Sequence, residues 1–389
     1  MTRHQDSAAN RWHGAAQLLA LLRAEPGITR AIAAQRLGIS SGGATDLVAR
    51  LRTAELLDES PAPTRGRGRP TTVLRAHDHG PLAIAADLRP GDWRLALTDI
   101  AGHTDIVDRS LQTSSDPEEL IAEVAAAISA VADREPGRVR AVSVSVAGTV
   151  SDDRLVQFTP RGWSDVDLSP LRHLDIPFLI GNDATLAGLA EARTGAAHGA
   201  GTALHLIIAV GMGGTLIVDG APASGAHGAA GEYGHIPFGD PATQCPCGAH
   251  GCWDLTIDGR ALARLLGEAA PSDPVAYTHT LIADNPVPDN RIRQAFDTVG
   301  ASIGRGIAGL VNLHDPDVVT LGGLASPLRA AAPRAFESAY LQGLMAFRKK
   351  SAPPVLDGVH GDDGPLHGAA TRAIDHIVSE ASLAEWARQ

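Results

Sequence analysis

Gly231-Glu232-Tyr233-Gly234-His235, followed by Cys245-Pro246-Cys247-Gly248-Ala249-His250-Gly251-Cys252-Trp253-Asp254, is the stretch on which the reading of this chain turns. Its cysteines are the only three in 389 residues, and an odd number packed so closely cannot build a disulfide framework. Metal ligation is the better reading, and it suits a reducing compartment. One imidazole and three thiolates are the donor set that tetrahedral zinc prefers in a closed structural site. The expectation is one structural zinc ion per chain, held by His235, Cys245, Cys247 and Cys252. Gly248 and Gly251 let the chain wrap the ion without side-chain clashes.

Outward from this stretch, residues 81–389 read as an α/β body. Leu82 to Leu88 and Trp93 to Asp99 form a candidate strand pair, a helix runs from Pro117 to about Val131, and Arg140 to Val146 is another strand. Strands and helices alternate to the end. Two glycine-rich strand turns stand out, Val210-Gly211-Met212-Gly213-Gly214 and Leu321-Gly322-Gly323. The Pro-rich stretch from Pro271 to Asp289 reads as a surface loop.

Residues 1–75 differ in kind. Ala15, Leu18, Leu19 and Leu22 fall at helical spacing, and Pro26-Gly27 stops that helix. A second helix spans Thr29 to Leu37 and closes at Gly38. Ser40 is a natural N-cap for a third, running to about Leu56 with Leu47, Val48 and Leu51 inward. This is the order of a helix-turn-helix. Pro61 to Pro70 cannot form a helix and carries Arg65, Arg67 and Arg69, and Thr71 to Leu74 reads as a strand, as in a winged-helix wing. Ser40, Ser41, Thr45 and Arg50 are offered to a major groove, and the wing arginines to phosphates or a minor groove. Gly42 and Gly43 weaken the third helix and are expected to permit close approach to the DNA backbone.

Charge agrees with this division. The chain carries −11 overall, yet residues 1–80 hold eleven arginines against seven carboxylates. A basic head on an acidic body is what is expected when one end meets a polyanion such as double-stranded operator DNA. With 44% apolar residues the chain can bury more than one core. It has no apolar run long enough to span a bilayer, and Met1 to Asn10 is too polar for a secretory signal. A cytoplasmic location with no membrane partner is expected.

The body resembles the ROK family of repressors, open reading frames and sugar kinases over roughly residues 81–375, and the head is similar to the winged helix of that family's regulators. Gly-Glu-x-Gly-His followed by Cys-x-Cys-Gly-x-x-Gly-Cys is the most specific part of the match. Leu310-Val311-Asn312-Leu313-His314-Asp315-Pro316, leading into Leu321-Gly322-Gly323, is similar to the adenosine-side segment, and Gly181-Asn182-Asp183-Ala184 to an Asn-Asp-Ala turn that opens a helix. Gly361 to Ala370 resembles the closing glycine-alanine turn before the last helix. The resemblance implies an α/β fold with an N-terminal winged helix-turn-helix (residues 1–75) and a two-lobed, actin-like, ribonuclease H-like ROK domain (residues 81–389). It implies that Asn182, Asp183, Glu232, His235 and Asp254 hold sugar hydroxyls, with Asp183 at the kinases' general-base position and Asp254 where a glutamate is usual. For Asp183 alone the alternative is a helix N-cap. A homodimer or dimer of dimers is likewise implied.

The chain departs from the family's kinases at their phosphate loops. The usual Asp-x-Gly-Gly-Thr is here Asp87-Leu88-Arg89-Pro90-Gly91-Asp92, where Pro90 lacks an N–H and Asp92 adds a negative charge. The usual Gly-Thr-Gly is Ala209-Val210-Gly211. Each lost donor removes about 3 kcal/mol of phosphate stabilisation by analogy with oxyanion-hole deletions. Arg161, in Pro160-Arg161-Gly162-Trp163, stands where the family has asparagine and would suit a phosphorylated or acidic sugar. The reading is a sugar-responsive regulator, a repressor, with a non-catalytic kinase-like sensor. The alternatives are an ATP-dependent sugar kinase with an appended head, and a DNA-binding protein whose body only dimerises.

Overall fold

The computed structural model describes residues 3–62, 72–112, 114–151, 154–158 and 162–388. The chain divides into two units: Met1–Ser145, Leu168–Gly181 and Ala369–Gln389 form the first, and Val146–Asp167 with Asn182–Gly368 the second.

The first unit opens with α1 (Arg3–Ala24), α2 (Arg30–Leu37) and α3 (Ser41–Thr53). Ala15, Leu18, Leu19 and Leu22 are buried along one stripe of α1, as their spacing predicts. Thr29 caps α2 by accepting the Ile32 amide, and Gly38 ends it in the left-handed region at φ 65°. Ser40 caps α3, its Oγ accepting from the Gly43 amide at 3.0 Å. A Cβ on Gly43 would lie 3.3 Å from that oxygen, so the glycine makes room for the cap. α3 stops at Thr53, short of the expected Leu56, because Glu55 takes φ 53° and turns Leu56 into the core.

β1 (Leu57–Pro61) then pairs antiparallel with β2 (Thr72–Ala76), Leu57 facing Ala76 and Pro61 facing Thr72. The strand expected after the basic loop is present, with a partner strand that the sequence reading did not name. Arg65, Arg67 and Arg69 lie outside the described residues. Next come β3 (Leu82–Leu88), β4 (Asp92–Asp99), β5 (Thr104–Leu111), α4 (Pro117–Arg134) and β6 (Val139–Val146). In the second unit β7 (Thr149–Ser151), β8 (Arg154–Phe158) and β9 (Trp163–Asp167) form a small antiparallel sheet. β10 (Phe178–Asn182) completes the five-stranded sheet β10-β6-β3-β4-β5. Every residue of β3 is buried, which is why this central strand reads as an almost unbroken apolar run.

The second unit continues with α5 (Asp183–Thr194), β11 (Thr202–Ile208), β12 (Met212–Val218), β13 (Ala221–Pro222), α6 (Gly259–Leu265), α7 (Pro274–Asp284), α8 (Asn290–His314), β14 (Val318–Gly323), α9 (Ala325–Ala331), α10 (Pro333–Gly343) and β15 (Val355–Asp357). Its sheet runs β13-β12-β11-β14-β15, with β11 parallel to β14 and antiparallel to β12. One hydrophobic core joins this sheet to α8 and α10, from Leu204 and Leu321 to Ile303, Val311, Phe336 and Tyr340. The surface loop expected from Pro271 to Asp289 is corrected here: it contains α7. Asp273 caps that helix by accepting from the Val275 and Ala276 amides, and Pro274 occupies its first turn, where a missing N–H costs nothing.

α11 (Gly364–Ile377) begins inside the glycine-alanine segment rather than after it, and α12 (Glu380–Trp386) follows. Both contact the head within the first unit. The Trp386 indole donates to the Ala54 carbonyl at 2.7 Å, just past α3; His13 lies 2.8 Å from Glu380 and Arg23 2.8 Å from Asp375. A single apolar cluster runs from Leu18 and Leu51 through Ala83, Ile100 and Ala141 to Ile374 and Leu383. The compact units therefore do not break at residues 75–81.

Candidate functional site

The turn Tyr233–His235 carries His235 to a knuckle formed by residues 239–252. The Gly239 amide donates to Gly251 O at 2.8 Å, Cys245 N–H to Ala249 O at 2.8 Å, and Gly248 N–H to Cys245 O at 2.9 Å. Gly248 and Gly251 take φ 97° and 67°, a region that side chains disfavour. The ligand atoms of His235, Cys245, Cys247 and Cys252 all lie within 4.8 Å of one another. Cys247 Sγ is 3.7 Å from Cys252 Sγ, and His235 Nδ1 is 3.9 Å from Cys245 Sγ. Two thiolates each ~2.3 Å from one tetrahedral zinc ion sit about 3.7 Å apart, so donor set and spacing suit such an ion. Burial pushes the Cys252 thiol up to about 12 and raises that of Cys245, so a cation is what would favour their thiolates. The cluster could hold a metal ion. Trp253 anchors the knuckle to α8, its indole fully buried and donating to Ser302 O at 3.3 Å.

His235 turns its two nitrogens to different neighbours. Nδ1 faces Cys245, whereas Nε2 is 3.9 Å from Glu232 Oε2. Glu232 Oε1 accepts from the Thr149 hydroxyl at 2.6 Å. Asn182 donates from Nδ2 to Gly148 O at 3.0 Å. The dipeptide Gly148-Thr149 thus ties Asn182 to Glu232. Asn182, not Asp183, is the N-cap of α5, its Oδ1 accepting from the Thr185 amide at 3.1 Å. Asp183 is the first residue of that helix, with Oδ1 2.8 Å from the Ala184 amide. Asp254 is buried, and burial pushes its carboxyl up to about 6. It pairs with Arg260 Nη2 at 3.2 Å, and the same nitrogen donates to Val210 O at 2.6 Å. Asp258 accepts from Nε of the same guanidinium. The structure therefore ties Asp254 through Arg260 to the glycine-rich turn at residues 210–214, a link the sequence reading did not foresee. Arg161 lies outside the described residues.

At the end of β3, Asp87 is fully buried and accepts from Arg94 Nη2 at 2.9 Å across the strand pair. Arg89 Nε lies 3.9 Å from Asp87 and pairs with Asp92. The turn between β3 and β4 is closed by its own charges.

In the head, Ser41 and Thr45 are exposed on α3, and the Thr45 hydroxyl donates back to Ser41 O at 2.9 Å. Ser40 is exposed, but its oxygen is engaged in the cap. Arg50 is only half-exposed and stacks 5.8 Å above the Trp12 ring.

A family model for ROK matches residues 85–376. The chain belongs to the ROK family. The xylose repressor of Bacillus subtilis (strain 168) is 23% identical over 367 residues, covering 92% of this chain and 93% of the repressor. A glucokinase of Streptomyces coelicolor is 26% identical over 311 residues, covering 75% of this chain and 97% of the kinase. A solved ROK family transcriptional regulator, a homologue of the E. coli MLC protein, shares the fold with a TM-score of 0.75 at 20% identity, covering 97% of this chain and 99% of its own. ROK relatives of this chain thus include both a repressor and sugar kinases. Among the described residues no helix is long and apolar enough to cross a membrane.

Against the ROK pattern, sequence reasoning missed Thr149, Arg260 and Arg94. The first two sit outside the motif strings and become visible only when the loops fold back. Arg94 had a signal: a lone cation in an apolar strand opposite a lone carboxylate, Asp87, in the next.

Proposed function

We propose that this ROK protein is a sugar-responsive, DNA-binding transcriptional regulator, a repressor, in which the kinase-like body senses a sugar without phosphorylating it. The observation that carries the reading is the head: α2, the Gly38 turn and α3, followed by the β1–β2 pair, precede the family domain. The repressor relative spans 92% of the chain, whereas the glucokinase covers 75%. In this reading residues 1–75 meet operator DNA through Ser40, Ser41, Thr45, Arg50, Arg65, Arg67 and Arg69, and residues 81–389 bind the effector.

Asn182, Asp183, Glu232 and His235 would hold sugar hydroxyls, since an amide and carboxylates donate and accept in pairs. Asp254, turned to Arg260, would act on the effector through the 210–212 turn. Zinc on His235, Cys245, Cys247 and Cys252 would fix the imidazole, leaving Nε2 for Glu232 and ligand. The absence of catalysis is supported by the β3–β4 turn, where the pairs Asp87–Arg94 and Arg89–Asp92 neutralise one another in place of a phosphate cradle. The protein would act as a homodimer or a dimer of dimers on paired half-sites.

A thermal-shift screen of neutral, amino and phosphorylated sugars, with ATP alone as a separate arm, tests the reading. A shift with one sugar class and none with ATP is expected. ATP-dependent phosphorylation of that sugar would overturn the sensor in favour of a kinase with an appended head.

A further inference from the structure

We propose that Asp46 reads a C·G base pair, its carboxylate accepting a hydrogen bond from the cytosine N4 amine at one position of each operator half-site. The inference rests on the DNA-binding reading above and adds the base chemistry to it. Ala44, Leu47, Val48 and Leu51 are the buried face of α3. With 3.6 residues per turn the opposite stripe is Gly42, Asp46, Ala49 and Thr53, and all four are exposed. Asp46 stands in the middle of that stripe between short neighbours that let the helix approach a groove floor closely.

The charges around it are otherwise engaged. Arg52 pairs with Asp58 at 3.2 Å, Arg36 with Glu25 at 3.0 Å and Arg30 with Glu59 at 3.6 Å. The Asp46 carboxylate has no hydrogen bond or ion pair among the described residues. A bare carboxylate pressed toward DNA is repelled by phosphates and gains nothing from backbone contact. In the major groove guanine offers only acceptors, and thymine an acceptor and a methyl group. Adenine pairs its N6 donor with an N7 acceptor that repels a second carboxylate oxygen. Cytosine presents a donor alone, so it is the base that fits. Asp46 then works chiefly by rejecting the other bases.

The test is selection from a randomised duplex library by the full-length protein and by Asp46→Ala and Asp46→Asn, whose exposed, unpartnered position leaves folding intact, as matching melting curves verify. The wild type is expected to favour cytosine about tenfold at one half-site position. Asp46→Ala should lose that preference alone and bind non-specific DNA about threefold more tightly. Asp46→Asn should shift the preference to adenine, whose N6 and N7 match an amide. Unchanged selection by Asp46→Ala would overturn the assignment while leaving the DNA-binding reading standing. No enrichment by the wild type would overturn both.

Discussion

Replacing Gly306 by alanine tests how the cysteine knuckle is fastened to α8. Helix propensity alone favours the change, because alanine in a helix interior is about 1 kcal/mol better than glycine. The structure reverses the sign. A Cβ on Gly306 would lie 2.0 Å from Cζ2 and 2.2 Å from Cε2 of Trp253, where contacts of about 3.5 Å or more are needed. The indole has nowhere to go, since it is fully buried and its N–H is committed to Ser302 O. Overpacking costs about 1–3 kcal/mol, and displacing the indole from its acceptor about 1–3 kcal/mol more. After the propensity gain the net loss is roughly 1–5 kcal/mol, on the order of 3–15 °C in the melting midpoint of a domain this size. Thermal unfolding of Gly306→Ala, followed with the metal content of the same samples, gives the readout. Pairing it with Trp253→Phe isolates the contact, because the smaller ring should recover part of the loss in a double-mutant cycle. If Gly306→Ala melts above the parent, or if the two substitutions are simply additive, the proposed wedge is wrong.

Three further outcomes are expected. Chelation, or Cys247→Ser, should remove one zinc ion per chain and lower the melting midpoint; metal analysis that finds no zinc in protein purified without chelator would refute the site. Ser40→Ala should cost the head about 1 kcal/mol by leaving the Gly43 amide unpaired, read as a lower denaturation midpoint and weaker DNA binding, whereas an unchanged midpoint would discount the cap. Burial holds the His205 imidazole down at about 4, from 6.5 when exposed. The unfolded chain therefore takes up this proton first, so the associated stability is complete above pH 6.5 and is lost as pH falls toward 4, by about 3 kcal/mol. His205→Gln should flatten that part of the profile in urea titrations at pH 7 and 4.5, and parallel profiles would exclude His205 as the cause.

Most of the local order was legible because it rests on local rules. Ser40 before an apolar stripe, Gly38 after one, and the apolar run that ends at Asp87 each announce their element without help from the rest of the chain. The Pro271–Asp289 stretch misled for the opposite reason: proline punctuates a sequence, but in the first turn of α7 it starts a helix that Asp273 caps. β1 was hidden because Leu57-Asp58-Glu59-Ser60-Pro61 is too short and polar to declare itself, and it becomes a strand only by pairing with β2.

What the sequence by itself determined was the donor inventory. Three cysteines close to His235 and His250, spaced by glycines, supply nitrogen and sulfur donors that could hold a metal ion, because coordination depends on which atoms are near and the spacing keeps them near. It likewise determined a helical head followed by an α/β body. Only the tertiary structure decided how those parts are partnered. It joined the head to α11 and α12 through one apolar core, tied Asn182 to Glu232 through Gly148-Thr149, and turned Asp254 to Arg260. Such partnerships join residues far apart in the chain, and nothing in the spacing of one records the position of the other. Burial and charge pairing select them only once the backbone has brought the segments together.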